Sequence, residues 1–289
     1  MTGPRQAGKT TLLRELFPDY RYVSFEHPTI RTRLLEDPID FMREYDDKVI
    51  FDEAQRFGRL TERIDPDLFY TAYLSSYVER DVIDLISATN LGTFQRFIKV
   101  CATYAGQLLN LSKLSRDTGV SVPTATSWLG VLEQSFVVFR LQPFYRNLGK
   151  RLIKSPKLYF YDTGLLSFLL GAYEPAAVER LPQYGALFEN LVIADAIKRF
   201  HHKGYEPSFY FYRDDRKQEV DLVYEKANLA RLWEIKSTEK IRPRLLSQLE
   251  KIANSWDRPT ETFLIYDGDE ERRHNKTYLV NWRSLDWER

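Results

Sequence analysis

The sequence contains little cysteine and histidine, which limits the disulfide bonds and metal sites that it can form. Cys101 is the single cysteine among 289 residues, and two of the four histidines, His201 and His202, are adjacent. One cysteine excludes a disulfide framework and a cysteine-rich zinc site. The histidines show no spacing typical of metal ligands, because neighbouring side chains on an element point apart.

The sequence also lacks an excess of charge and any long apolar run. Its formal net charge is +1, which excludes a polycation that coats nucleic acid in bulk but leaves room for a local basic patch. No signal peptide and no run of about 20 apolar residues is present, so we expect a cytoplasmic chain without membrane contact. Hydrophobic residues make up 43% and charged residues 29%, which is typical of globular proteins.

The first ten residues, MTGPRQAGKT, fit the P-loop pattern G-x-x-x-x-G-K-[ST]. Gly3 and Gly8 let backbone N–H groups curl around phosphates, and Lys9 reaches the β- and γ-phosphates. The Thr10 hydroxyl is the expected Mg²⁺ ligand, and Thr11 follows it at the nucleotide. The apolar spacing in TLLRELF then predicts the helix that should follow a P-loop. This segment therefore predicts ATP and Mg²⁺ as cofactors.

A second nucleotide-site motif follows about forty residues later, in KVIFDE from Lys48 to Glu53. A buried strand that ends in acidic residues is typical of a Walker B motif, because it delivers a carboxylate to the metal at its C-terminal end. Asp52 is the predicted Mg²⁺-holding residue, and Glu53 is the predicted residue that polarises the attacking water. Alone, this motif is a weak indicator of a nucleotide site. Its position about forty residues after the P-loop makes it a strong one.

Together, GPRQAGKTTLL and VIFDEAQR resemble bacterial and archaeal AAA-type ATPases of unknown function that end in a restriction-endonuclease-like domain. Two departures indicate a reduced ATPase domain, which we place at residues 1–60. Only Met1 and Thr2 precede the P-loop, so the strand that should launch it is absent or short. After Arg56 we find neither the sensor strand nor the later arginine of that family.

Residues 108–145 predict a helix, a turn at Gly119, a second helix and a wing-like strand, within a unit at residues 61–180. Ser121 is a predicted N-cap with Pro123 in the first turn, and Asp162 is predicted to cap a later helix rather than to catalyse. The second helix carries only one charge, Glu133, so guanine readout by arginine is not available there. DNA contact and a purely structural packing role remain equal alternatives for this winged-helix pattern.

A basic stretch without acids runs from Gln134 to Tyr161 and contains Arg140, Arg146, Lys150, Arg151, Lys154 and Lys157. Arg146, Lys150, Arg151 and Lys154 are the predicted phosphate contacts of a sequence-nonspecific DNA interface. The alternative is an ordinary solvated surface.

The last unit, residues 181–289, has the element order α-β-β-β-α-β-β and resembles the PD-(D/E)XK nucleases. Thirty-one residues separate Glu189 from Asp221, and twelve separate Asp221 from Glu234, which begins an E-x-K motif ending at Lys236. Asp221 and Glu234 on adjacent strands can share one Mg²⁺, with the Ile235 carbonyl as a third oxygen. The predicted catalytic set is Glu189, Asp221, Glu234 and Lys236, of which Lys236 would orient or deprotonate water.

These motifs predict an α/β multidomain protein with a reduced P-loop domain, a winged helix-turn-helix and a nuclease-like domain. The favoured function is an ATP-binding, DNA-associated ATPase with a candidate Mg²⁺-dependent nuclease. The alternative is a non-catalytic ATP-binding switch whose C-terminal domains dock DNA or a protein partner. A homo-oligomer is compatible with both.

Overall fold

The computed structural model describes residues 17–25, 27–36, 40–41, 44–45, 48–52, 66–77, 91–144, 155–206, 208–226, 228–241, 243–285 and 287. Several predicted site residues lie outside these ranges: Gly3, Gly8, Lys9, Thr10, Thr11, Glu53, Arg146, Lys150, Arg151 and Lys154. The chain divides into two compact units, Met1–Arg96 and Phe97–Arg289, which are described separately below.

The described part of the first unit is built around a parallel strand pair. Strands β1 (Arg21–Ser24) and β2 (Val49–Asp52) pair in register, with Ser24 opposite Asp52. Two helices accompany them, α1 (Pro28–Glu36) and α2 (Pro66–Tyr77). The buried core residues are Val23, Phe25, Leu34, Phe41 and Tyr45. Both predicted strands are therefore present, and Asp52 ends β2 at the carboxyl edge of the pair, where α/β proteins bind ligands.

The second unit begins with three helices, α3 (Leu91–Thr103, which crosses the division), α4 (Leu111–Thr118) and α5 (Val122–Gln134). Helix α4 ends at Gly119, whose φ of 77° is left-handed and suits glycine. Helix α5 begins at Ser121, whose hydroxyl accepts the Thr124 N–H at 3.2 Å, and a proline lies in its first turn. The two helices, the turn at Gly119 and the N-cap at Ser121 are therefore present where the sequence predicts them.

The strands that follow α5 belong to a larger sheet than the sequence predicts. Strand β3 (Val138–Pro143) pairs antiparallel with β4 (Lys157–Phe160) and then parallel with β5 through Gln142–Tyr210 and Pro143–Phe211. The wing-like strand β3 thus belongs to the C-terminal sheet, where it lies between β5 and the edge strand β4. Parallel pairing between residues almost seventy positions apart leaves no local sequence signal, so the pattern around β3 could not reveal it.

The second unit is organised on one mixed sheet of eight strands, in the order β4-β3-β5-β6-β7-β8-β10-β9. Its remaining strands are β5 (Phe209–Arg213), β6 (Glu219–Lys226), β7 (Leu229–Lys236), β8 (Thr260–Tyr266), β9 (Arg272–His274) and β10 (Thr277–Asn281). The helices between them are α6 (Thr163–Leu169), α7 (Pro175–Glu179), α8 (Tyr184–His202) and α9 (Pro243–Asn254), and a 3₁₀ turn (Trp282–Ser284) follows β10. The short strand β9 was not predicted because its three residues are polar.

The two long helices cover opposite faces of this sheet. Along β7, Trp233 and Ile235 pack in a core cluster with residues of α8, whereas Ala230 and Leu232 pack in another with residues of α9. This alternation follows from the two-residue period of a strand, which sends successive side chains to opposite faces. Strand β7 is therefore buried on both faces, although charged residues interrupt its apolar sequence.

A buried asparagine fastens α8 to the end of β4. The Asn190 side chain accepts the Phe160 N–H at 2.7 Å and donates to the Phe160 carbonyl at 2.9 Å and to the Thr163 hydroxyl at 3.2 Å. Asp162 accepts the Leu165 N–H at 2.8 Å, which confirms its predicted role as the N-cap of α6. The second turn of α8 is therefore fixed against β4 by directional hydrogen bonds.

A search of the helices in the described ranges found no segment whose length and apolar character would let it span a bilayer.

We expect Asn190→Ala to destabilise the second unit by about 2–3 kcal/mol, because it leaves the buried N–H and C=O of Phe160 without their partner. All five tryptophans lie after residue 96, so the urea midpoint from tryptophan fluorescence reports this unit alone. The control Asn254→Ala, at an exposed position near the end of α9, should change stability by less than about 0.5 kcal/mol. An Asn190→Ala midpoint equal to the parent's would show that the tie is not needed.

Candidate functional site

The candidate site lies where strands β6 and β7 separate. Their paired residues run from Lys226–Leu229 to Leu222–Trp233, and extending this register places Asp221 opposite Glu234. At that point the Asp221 carboxylate accepts the backbone N–H of Ile235 at 2.8 Å. A side chain therefore replaces the backbone acceptor as the ladder ends, and it brings the predicted acid into the gap between the strands.

Lys236 joins the two predicted acids of these strands. Its ammonium lies 2.7 Å from Glu234 Oε1 and 3.2 Å from Asp221 Oδ2, and it donates to the Ile235 carbonyl at 2.9 Å. Glu234 and Lys236 share a face because they are two residues apart on a strand. These three acceptors match the three N–H donors of a lysine, so each donor of this ammonium has a hydrogen-bond acceptor.

Glu189 reaches the same cluster from the first turns of α8. Its Oε1 atom accepts a hydrogen bond from Lys157 Nζ at 2.9 Å and another from the Tyr159 hydroxyl. Lys157 and Tyr159 are also two residues apart, on β4, and so point to one face of the sheet. The structure thus brings together all four C-terminal residues that the sequence singles out, and their catalytic and metal-binding roles stay predictions.

Besides Arg213, which pairs with Glu219 and is described below, three residues of this cluster were not predicted, and Lys157 is the most important of them. Lys157 is 2% exposed, and its ammonium contacts Glu219 Oε1 at 2.5 Å, Glu189 Oε1 at 2.9 Å and Asp221 Oδ1 at 3.9 Å. Tyr159 and Glu219 are the other two. Glu219 could have been found from sequence, since it precedes Asp221 by two residues on the same strand.

The position of Lys157 corrects the interpretation of the basic stretch. Lys157 is buried among carboxylates rather than exposed to phosphates, and Arg140 forms a two-pronged ion pair with Glu133 at 2.5 and 2.7 Å. Two of the six cations of that stretch are therefore neutralised within the fold. A count of charges along the sequence could not show this, because the acids lie on α5, α8 and β6.

Opposite charges nearly balance in the cluster. Arg213 adds a third cation by pairing with Glu219 at 3.0 Å. The carboxylates are Glu189, Glu219, Asp221 and Glu234, and the cations are Lys157, Lys236 and Arg213. One acid therefore exceeds the cations when every group is ionised.

Electrostatics determine which acid holds a proton. Burial and the neighbouring Asp221 charge raise the pKa of Glu234 to about 8, and burial together with Asp221 also raises the pKa of Glu189. Burial alone would raise the pKa of Asp221, but the charges of Lys236 and Lys157 outweigh it and lower that pKa. At neutral pH Asp221 is ionised and Glu234 is largely protonated, so the cluster is close to neutral without a further ligand.

The predicted magnesium site does not fit this arrangement. Among the residues that the structure describes, no group of three or more His, Cys, Asp or Glu side chains is placed to hold a metal ion. The oxygens that a metal would need are already acceptors: Lys236 binds Glu234, Asp221 and the Ile235 carbonyl, and Lys157 binds Glu189. The sequence pattern predicts a metal centre, whereas the geometry is that of an internal ion-pair network.

The raised pKa of Glu234 predicts a pH dependence of stability. Between pH 4.5 and about 8 the folded chain keeps a proton that the unfolded chain releases, so the free energy of unfolding falls as pH rises through this range. Glu234→Gln removes this titration and should flatten the fall, as measured by urea midpoints from pH 5 to 8.

The control Glu271→Gln, at an exposed position before β9, should give a curve parallel to the parent's. A Glu234→Gln curve that is also parallel to the parent's would contradict the assigned proton.

Comparison with protein families separates the chain into three matched segments. Residues 1–70 match the family model of the AAA domain. Residues 57–176 match a domain of unknown function (DUF8612), and residues 184–285 match another domain of unknown function (DUF4143). The N-terminal match supports an AAA-type ATPase, which implies nucleotide binding.

Two mycobacterial proteins are similar over most of the chain. They are the Uncharacterized protein Rv2008c of Mycobacterium tuberculosis (strain ATCC 25618 / H37Rv) and the Uncharacterized protein Mb2031c of Mycobacterium bovis (strain ATCC BAA-935 / AF2122/97). Each is 29% identical over 312 residues, which cover 82% of this chain and 70% of the relative. The matched span exceeds the 289 residues of this chain, so the relatives contain residues within it that have no counterpart here.

Proposed function

We propose that this chain is an ATP-binding AAA-type protein whose C-terminal unit has a nuclease-like fold and docks DNA without metal-dependent cleavage. The observation that carries the second half of this proposal is the buried ammonium of Lys157. It contacts two of the carboxylates that a nuclease would use for metal, Glu189 and Asp221, and a third carboxylate, that of Glu219. The first half rests on the AAA domain match at residues 1–70.

The nucleotide site would be built from the P-loop and the end of β2. Backbone groups from Gly3 to Gly8 would cradle phosphates, while Lys9 would contact the β- and γ-phosphates. The parallel pairing of β1 and β2 supports this assignment, because it brings Ser24 and Asp52 to the same edge. Thr10 and Asp52 are the proposed Mg²⁺ residues, and Glu53 is the proposed residue that orients the attacking water.

We expect nucleotide binding with feeble hydrolysis. An arginine that stabilises the transition state is worth about 10³–10⁵ in rate, and the sequence shows neither this residue nor a sensor strand. Lys9→Ala should abolish ATP binding measured by calorimetry, while Lys276→Ala, an exposed control, should leave it unchanged. Turnover on the order of 1 s⁻¹ by the parent would contradict the expected impairment.

The proposed DNA contact uses the backbone phosphates rather than the bases. Helix α5 contains no lysine or arginine, and the hydroxyls of Ser121 and Thr126 are engaged locally, with Thr124 and with the Val122 carbonyl. Arg140 is paired with Glu133. The remaining cations of the stretch, Arg146, Lys150, Arg151 and Lys154, are therefore the proposed contacts, and they would bind any sequence alike.

Salt dependence tests this interface. If four phosphates are contacted, log K should fall against log salt with a slope near −3.6, and replacing Arg146, Lys150, Arg151 and Lys154 by alanine should flatten the slope and weaken binding to every duplex. The matched control removes four exposed cations elsewhere in the same unit: Lys240, Arg244, Lys251 and Lys276. Equal affinity and slope for parent and test variant would place the contact elsewhere, or favour a protein partner.

A Mg²⁺-dependent nuclease is the second candidate, and the convergence of Glu189, Asp221, Glu234 and Lys236 favours it. The two candidates differ in one observable, the cleavage of linear or branched DNA with Mg²⁺ or Mn²⁺. We expect none. Cleavage by the parent that disappears in Asp221→Asn would favour the nuclease and contradict the docking function.

A further inference from the structure

The acidic cluster already contains a cation at its centre. Four carboxylates from α8, β6 and β7 approach one another, and the ammonium of Lys157 lies within 3.9 Å of three of them. Buried carboxylates require either protonation or a positive partner, because an isolated charge in a poorly polarisable interior is costly. In metal-dependent sites a divalent ion fills this role, whereas here a side chain does.

We infer that Lys157 is the resident cation of this cluster and excludes divalent metal ions from it. This inference rests on the proposed function. It attributes the expected failure of the cluster to bind a metal ion to one residue, Lys157. Removing the Lys157 charge should therefore convert the cluster into a metal-binding site, with Glu189, Glu219 and Asp221 as the carboxylates left facing the vacated position.

The backbone around Lys157 is held on both sides, which fixes the position from which its side chain enters the cluster. On one side Lys157 pairs with Leu141 of β3, and on the other it forms a bridge with Leu108. The neighbouring Leu158 carbonyl accepts the Gly106 N–H at 2.8 Å. Gly106 has a φ of 72° and approaches α8 so closely that an added Cβ would lie 3.3 Å from the Ala186 Cβ. Strand β4 is thus held between β3 and the segment that contains Gly106, and this segment packs against α8.

The side chain of Lys236 is less enclosed by protein than that of Lys157. The Lys236 side chain is 31% exposed, whereas that of Lys157 is 3% exposed and its ammonium lies 5.5 Å from the Phe211 ring centroid. An exposed lysine can turn toward solvent when another cation arrives. A lysine enclosed by protein remains, and its charge repels a divalent ion at distances of a few ångströms.

The test measures Mn²⁺ binding by three full-length proteins in the absence of nucleotide. They are the parent, Lys157→Met and the exposed control Lys276→Met. Methionine keeps the length of the lysine stem and removes the charge. By calorimetry we expect no saturable Mn²⁺ heat from the parent or the control, and saturable Mn²⁺ binding by Lys157→Met, because the repelling charge is gone. Mn²⁺ should also raise the thermal midpoint of Lys157→Met, because a ligand that binds only the folded state stabilises it.

A second variant covers the case in which Lys157→Met does not fold with its uncompensated acids. Lys157→Met combined with Glu219→Gln removes one cation and the nearest acid together, and leaves Glu189 and Asp221 for the metal. A folded variant of either kind whose midpoint and heat do not respond to Mn²⁺ would overturn the inference. So would a parent that binds Mn²⁺ and loses this binding in Asp221→Asn.

These outcomes are separable from the fate of the proposed function. DNA cleavage by the parent contradicts the docking function, whereas the failure of the Lys157 variants to gain Mn²⁺ binding contradicts only the role of Lys157.

Discussion

The burial of one lysine ammonium among carboxylates constrains how the elements of the C-terminal unit can be arranged. Lys157 comes from β4, and its partners come from α8 and β6, so a single charge ties three elements that are distant in sequence. Removing either sign alone would leave a buried charge uncompensated, which costs about 3–5 kcal/mol in well-studied cases. The cluster therefore requires β4, and with it β3, to remain attached to the rest of the sheet.

This requirement links the helical segment to the C-terminal sheet. Strands β3 and β4 follow directly on helix α5, and they form the edge of the eight-stranded sheet rather than a separate wing. The buried Asn190 also connects α8 to β4, through its hydrogen bonds to Phe160. A displacement of the α4–α5 pair that moved β3 would act on β4 and on the charge cluster. The geometry thus offers a mechanical route between the α4–α5 pair and the charge cluster.

Much of the fold could be predicted because its signals are local. Alternating or continuous apolar residues identified β5 to β8 and β10, and cap residues identified the starts of α5 and α6. The grouping of Asp221 with Glu234 and Lys236 followed from the hairpin, since opposite residues on a hairpin are neighbours. Glu189 was added through the resemblance to the PD-(D/E)XK nucleases. The pairing of β3 with β5 had no local signal.

The chemistry of the cluster was harder to predict because its ion pairs also join residues that are distant in sequence. Lys157 belongs to a stretch without acids, and its sequence neighbours suggest an exposed basic surface. Its burial depends on Glu189 and Glu219, which lie 32 and 62 positions further on. A sequence motif gives the acids that could bind a metal, but it does not give the charges that other elements bring to them. The change from a predicted magnesium centre to an ion-pair network comes from that omission.

A crystal structure of the chain equilibrated with Mn²⁺, with anomalous diffraction to locate the metal, tests the central claim most directly. We expect no anomalous peak among Glu189, Asp221 and Glu234, with Lys157 Nζ in contact with Glu189 and Glu219. An anomalous peak bound by Asp221 and Glu234, with the Lys157 ammonium displaced, would contradict the claim that this side chain is the cation of the site.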